Sequence, residues 1–182
     1  DTPTHILITD DDIELDPYSI KRLITIIKIL KEEYTNAIVG GSFLDIDCPT
    51  TQIELGGHII NGRPVASNTN LDLLDKRNLC RKIKDDFDYC GWWFCCIPSK
   101  LLDNGYTLPI FIKRDDVEFC YRNKTNYCVF NGIGVWHEHY LKKFSFEMTY
   151  YQSRNDLIFD ALYCIDKSKK EQLMEIKKRY KH

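Results

Sequence analysis

The segment His5-Ile-Leu-Ile-Thr-Asp-Asp-Asp-Ile-Glu-Leu-Asp-Pro17 constrains the fold more than any other. Its apolar opening reads as a buried strand over 5–9, and that strand ends on three consecutive carboxylates. Asp16-Pro17 then supplies a helix N-cap followed by proline at the first helical position. Ile20, Leu23, Ile24, Ile27 and Leu30 recur at three- and four-residue spacing, which predicts an amphipathic helix over 17–33. Strand, acidic turn and helix in this order begin an α/β fold. The acidic turn also poses a chemical question. Two carboxylates ~4 Å apart repel by about 4 kcal/mol at an effective dielectric near 20, so the cluster either splays into water or holds a cation.

The rest of the chain keeps alternating. A strand is predicted over 37–44, its Gly40-Gly41 pair marking a bulge or a close backbone approach. Residues 52–60 alternate toward the turn dipeptide Asn61-Gly62, and Arg63 onward returns as a hairpin. The stretch 66–86 is polar and irregular with room for one short helix. Residues 87–98 are aromatic and thiol-rich, and read as a buried strand that Pro98 stops. A short helix over 99–103 closes on Asn104-Gly105. The stiff loop 107–112 delivers Arg114-Asp-Asp-Val-Glu-Phe119 to the start of another helix. A strand over 127–138, a long helix over 144–165 and a basic helix over 169–180 complete an α/β sandwich.

At 182 residues and a net charge of −2, the chain is one ordinary domain or a large fragment, and no general nucleic-acid binder. It opens on Asp1-Thr-Pro-Thr without Met, which reads as the middle of a longer chain. It has no run of eighteen apolar residues, so no membrane span is predicted. The eight cysteines form no C-x-x-C pair and sit in apolar segments, the pattern of reduced thiols in a cytosolic protein.

Four constellations can carry chemistry. Strand alternation sends Asp10 and Asp12 to one side and Asp11 to the other, ~7 Å of rise apart, at the carboxyl end of a strand. Oxygen ligands so placed suit Mg²⁺ or Mn²⁺. Asp115, Asp116 and Glu118 fall in a first helical turn, where the helix dipole alone would favour them; one of them could equally be a general base. His137 and His139 share a strand face, as a surface pair or as ligands, with one histidine able to join Asp10 or Asp12 on a metal. Trp92 and Trp93 are core residues or the wall on which a sugar ring stacks, with Gly91 allowing close approach of backbone to a ligand.

Taken in order, ITDDDIELDP, Val39-Gly-Gly41, Glu54-Leu-Gly-Gly57, GWWFCCIP, LPIFIKRDDVEF, GVWHEHY and YYQSRNDLI resemble the family-2 inverting glycosyltransferases of GT-A fold. They are most similar to the bacterial polymerising galactofuranosyltransferases, over nearly the whole chain to about residue 160. The resemblance implies a GT-A-type, Rossmann-like mixed sheet flanked by helices, whose first nucleotide-binding strands precede this chain. It implies a catalytic part over 1–165 that binds metal and acceptor, followed by a basic helix over 166–182.

By the same resemblance Asp10, Asp12 and His137 hold Mn²⁺ or Mg²⁺, with Asp10, Asp11 and Asp12 facing the donor diphosphate. Asp116 is the catalytic base, and Asp115, beside it in the catalytic pair, supports the acceptor site. Trp92, Trp93, Gly91 and Glu118 border the acceptor. The implied partners are a UDP-sugar and a glycan or lipid-linked acceptor, in the cytoplasm at the inner face of the plasma membrane. The basic run Lys169, Lys170, Lys177, Lys178, Arg179 and Lys181 offers a peripheral contact with anionic lipid there. The chain departs from the family at Arg114, where a Trp is common. It also carries Tyr151, Arg154 and Asn155 in place of the Gln-x-x-Arg-Trp signature. Two rivals from other classes use the same residues: a metal-dependent phosphohydrolase, and a carbohydrate-binding module built on Trp92 and Trp93 alone.

Overall fold

Asp16 does cap a helix: its side chain accepts from the Tyr18 amide, and Pro17 stands at the first helical position. The computed structural model in which this is seen describes residues 3–30, 32–81, 83, 86–110, 112–143, 145–164, 166 and 168–179. In chain order its elements begin with β1 (His5–Ile8), β2 (Ile13–Leu15), α1 (Pro17–Ile29), β3 (Ile38–Asp45) and β4 (Thr51–Glu54). There follow β5 (Gly57–Ile60), β6 (Arg63–Ala66), β7 (Leu71–Asp72), α2 (Lys76–Leu79) and β8 (Cys95–Pro98). The chain ends with α3 (Asp115–Asn123), β9 (Tyr127–His137), α4 (Phe146–Tyr163) and α5 (Lys169–Arg179).

β3 organises the sheet. β9 runs parallel along one edge of it, with a register shift between Gly40 and Ser42. The other edge is shared: β8 pairs antiparallel with Val39 and Gly40, and β4 with Phe43 and Leu44. β1 adds antiparallel to β8, β7 to β4, and β2 to the far side of β9. The result is a mixed seven-stranded sheet with a separate two-stranded hairpin, β5–β6. That hairpin turns at Asn61-Gly62, both at positive φ (52° and 72°), as a tight two-residue turn requires.

Alternation along β3 divides the core between the two sheet faces. Ile38 packs with Leu55, Val117, Phe119 and Phe159 under α3 and α4. Val39 packs with Leu23, Phe94, Ile133 and Val135 under α1. The sandwich expected from the alternating elements is therefore present, helices covering both faces of a mixed sheet. Among the described residues no helix is long and apolar enough to cross a membrane. Cys90, Cys95, Cys96, Cys120 and Cys128 are buried and pack as small apolar groups.

Several boundaries differ from expectation. The predicted strand over 87–98 is a strand only at Cys95–Pro98, because the chain turns at Trp92 and Trp93 before entering the sheet. The first helix stops at Ile29, and Glu32–Tyr34 forms a separate helical turn, since the apolar spacing ends at Leu30. The first strand ends at Ile8, so the three carboxylates lie in a bend and not on a strand. Asp1, Lys31, Phe111, Phe144, Ile165, Tyr180 and Lys181, which also figured in the expectations, lie outside the described residues.

Candidate active site

The bend after β1 closes on β9 because of one register. β2 begins at Ile13, and Ile13 pairs with His137. Asp12 is thereby set beside His137, the last residue of β9, 125 positions further along the chain.

His137 is buried, its ring edge-on to Phe43 at 5.2 Å. Its Nδ1 lies 2.6 Å from the Glu138 carbonyl oxygen. A carbonyl only accepts, so Nδ1 carries the proton of that bond and Nε2 turns toward the carboxylates. Nε2 is 2.9 Å from Asp12 Oδ1 and 3.7 Å from Asp10 Oδ2. One ligand atom from each of Asp10, Asp12 and His137 lies within 4.8 Å of the others. That is a small side-chain adjustment from the spacing imposed by two bonds of ~2.1 Å to a divalent ion. Two carboxylates and an imidazole with its far nitrogen anchored form a donor set suited to Mn²⁺ or Mg²⁺.

Lys143 supplies positive charge to the same spot. Its ammonium bonds Asp12 and lies 3.3 Å from His137 Nε2. That bond holds the Asp12 carboxyl below its ordinary range, whereas burial raises Asp10. The repulsion expected of the acidic run is met here by a lysine six residues beyond the histidine. Asp11 is exposed and stands outside this group, and His139 stacks on Tyr140 instead of joining it.

A cavity of about 650 Å³ opens beside the cluster. Asp10 and His137 line one side; Asp115, Asp116, Trp92, Trp93 and Glu54 line the rest. Asp116 is pushed up to about 7, first by burial and then by the neighbouring Asp115 charge, while the Val117 amide bonds its Oδ1 at 2.7 Å. Asp115 is also raised, chiefly by burial. The turn that presents both is strained: Ile112 and Arg114 have φ of 70° and 76°. Non-glycine residues in that region cost ~1–3 kcal/mol each and persist where the surroundings over-determine them.

The tryptophans reach the cavity through Gly91. A Cβ there would meet the Trp93 ring at 2.0 Å, so the glycine, expected to let backbone approach a ligand, makes room for an indole. Trp93 Nε1 donates to the Gly41 carbonyl at 2.9 Å, and Trp92 packs edge-on to Phe119. Glu118, expected at the acceptor, is 0% exposed and does not line the cavity. Its carboxylate accepts from Arg122 and from the Tyr163 hydroxyl at 2.9 and 2.5 Å, because the fourth residue of α3 faces α4 and the core.

Two curated relatives match the chain. It is 29% identical, over 87% of its length, to galactofuranosyltransferase GlfT2 of Mycolicibacterium smegmatis. It is 28% identical, over the same share, to galactofuranosyltransferase GlfT2 of Mycobacterium tuberculosis. The chain resembles a galactofuranosyltransferase. It spans 27% of the length of each of these relatives. No protein-family model matches it.

Beside the residues that this galactofuranosyltransferase-like sequence made visible, the structure brings in Glu54. Its carboxyl faces the cavity from β4, accepts from the Tyr89 hydroxyl at 2.9 Å, and is pushed up to about 7 by burial. Glu54 stands within a quoted motif, yet nothing in the residue order pairs it with Tyr89, 35 positions on. Lys143 was equally hidden within a basic pair on a surface turn.

Proposed function

We propose that this chain carries the metal- and acceptor-binding part of a family-2, inverting glycosyltransferase of GT-A fold. The observation that supports it is a single cavity bordered by a carboxylate–imidazole cation site, a half-buried aspartate poised near neutrality and two indoles. Sugar transfer needs these three things together: charge neutralisation at the leaving diphosphate, a base at the acceptor hydroxyl, and an apolar wall for the ring.

Asp10, Asp12 and His137 hold Mn²⁺ or Mg²⁺. When bound, the ion supplies Lewis-acid stabilisation of the departing nucleoside diphosphate. Asp116 accepts the proton of an acceptor hydroxyl as that oxygen attacks the anomeric carbon from the face opposite the leaving group. The product then has inverted configuration, with no covalent enzyme intermediate. Asp115 keeps Asp116 basic, and Trp92 and Trp93 seat the acceptor ring. Glu54, held by Tyr89 and facing the cavity, is placed to hydrogen-bond an acceptor hydroxyl.

The relatives' names favour galactofuranose as the sugar moved; the proposed donor is UDP-galactofuranose, and the proposed acceptor a cell-surface glycan or its lipid-linked precursor, handled at the inner face of the plasma membrane. The test offers UDP-galactofuranose and UDP-galactopyranose separately, with Mn²⁺ and a galactofuranose-terminated acceptor, and reads the new linkage by NMR. Transfer from the furanose donor with inversion supports the reading. Transfer only from another nucleotide sugar removes the donor assignment. Release of free sugar without an acceptor makes the chain a hydrolase, and chelator-insensitive glycan binding without turnover makes it a binding module.

A further inference from the structure

The strained turn 112–114 is met from α4 by two consecutive buried side chains. Asn155 Nδ2 donates to the Lys113 carbonyl at 2.7 Å, and Asp156 Oδ1 accepts from Arg114 Nε at 2.6 Å. Asn155 is 0% exposed and Asp156 2%. Neither lines the cavity, whereas Lys113, Arg114, Asp115 and Asp116 do. We propose that Asn155 and Asp156 are positioning residues for Asp116, holding the left-handed turn in the geometry that presents its carboxyl to the cavity. This rests on the reading of Asp116 as the base.

Stability alone does not account for the arrangement. α4 buries Ser153, Asn155, Asp156 and Asp160, a polar face turned inward. A buried ion pair is commonly no more stabilising than well-packed apolar side chains of the same volume. What the pair does provide is direction: one residue fixes the backbone of the turn and the next fixes its side chain. The brace continues outward. Arg63 Nε lies 3.7 Å from Asp156, and the same guanidinium is bidentate on Asp160, at 2.7 Å to each oxygen, and 2.6 Å from Glu175. The turn is thus tied to the hairpin that contributes Pro64 and Ala66 to the cavity.

The test titrates the Asp116 carboxyl by ¹³C NMR in the full chain, in Asp156→Asn and in Asn155→Ala. The charged groups facing it are Asp115 on its own helix, Lys113 and Arg114 on the turn, and Glu54 across the cavity. In the unsubstituted chain the midpoint is expected at about 7. With the brace cut, the carboxyl turns toward water and the midpoint falls toward ~4. Transfer kcat falls ~10–100-fold with donor KM little changed, as a small misplacement of a reacting group does. Mn²⁺ affinity is unchanged. A midpoint that stays near 7 in a folded variant overturns the proposal and leaves the two residues merely stabilising. Asp156→Asn keeps the shape of the side chain, so the test survives if Asn155→Ala does not fold. Absence of transfer by the unsubstituted chain would count against the reading of Asp116 as base, whatever the titration shows of its placement.

Discussion

Asp116 is raised to about 7 because its carboxyl faces protein and Asp115 in place of water. A base must be unprotonated to accept a proton, so the transfer rate is expected to rise with pH through about 7 and then level. Removing the neighbouring charge with Asp115→Asn lowers the Asp116 pKa and moves that acid limb to lower pH, which a pH–rate profile measures. The same shift sets a stability sign. The folded pKa exceeds the unfolded value, so the group costs no stability below ~4 and increasingly opposes folding as pH rises to about 7. Asp116→Asn is therefore expected to raise Tm at pH 8 and leave it nearly unchanged at pH 4, while lowering transfer by ~10²–10⁴-fold. At this scale the sequence disclosed the ionisable groups it writes next to one another, Asp10 with Asp12 and Asp115 with Asp116. It did not disclose Glu54 with Tyr89, or Lys143 with Asp12, because those meet only through folding.

β9 is the element on which the site depends, since it places His137 at its end and carries β2 on one edge and β3 on the other. Its close approach to β3 leaves no room at Gly134, where a Cβ would lie 2.5 Å from the Ser42 carbonyl oxygen. Gly134→Ala is expected to destabilise the chain by ~1–3 kcal/mol, the usual range for overpacking, and to weaken Mn²⁺ binding by shifting His137. Denaturant unfolding and Mn²⁺ titration read the two effects. The strand period of 127–138 and the caps at Asp16-Pro17 were legible because local chemistry dictates them. The register between β2 and β9 was not, because pairing partners are chosen by the whole sheet. The misread stretch 87–98 has the composition of a strand, but the chain turns at Trp92 and Trp93, with the Trp93 ring against Gly91, and enters the sheet only at Cys95.

Over the whole molecule, two halves of a site converge on one cavity: the bend after β1 with the end of β9 on one side, and the start of α3 on the other. Their order in the chain was readable from the resemblance; the distance between them was set by the sheet. Because Asp10, Asp12 and His137 act together, His137→Ala or Asp12→Ala alone is expected to weaken Mn²⁺ binding by at least ~10-fold, the lower bound seen when a ligand shell is disturbed. Calorimetry or the electron paramagnetic resonance of free Mn²⁺ measures it. Since the chain spans 27% of its curated relatives, the most direct test of sugar transfer uses the protein that carries this chain. Incubated with Mn²⁺, UDP-galactofuranose and a galactofuranose-terminated acceptor, it should add one or more hexose masses to the acceptor, and the addition should vanish with chelator or with Asp116→Asn. An acceptor extended equally well by Asp116→Asn would contradict the account.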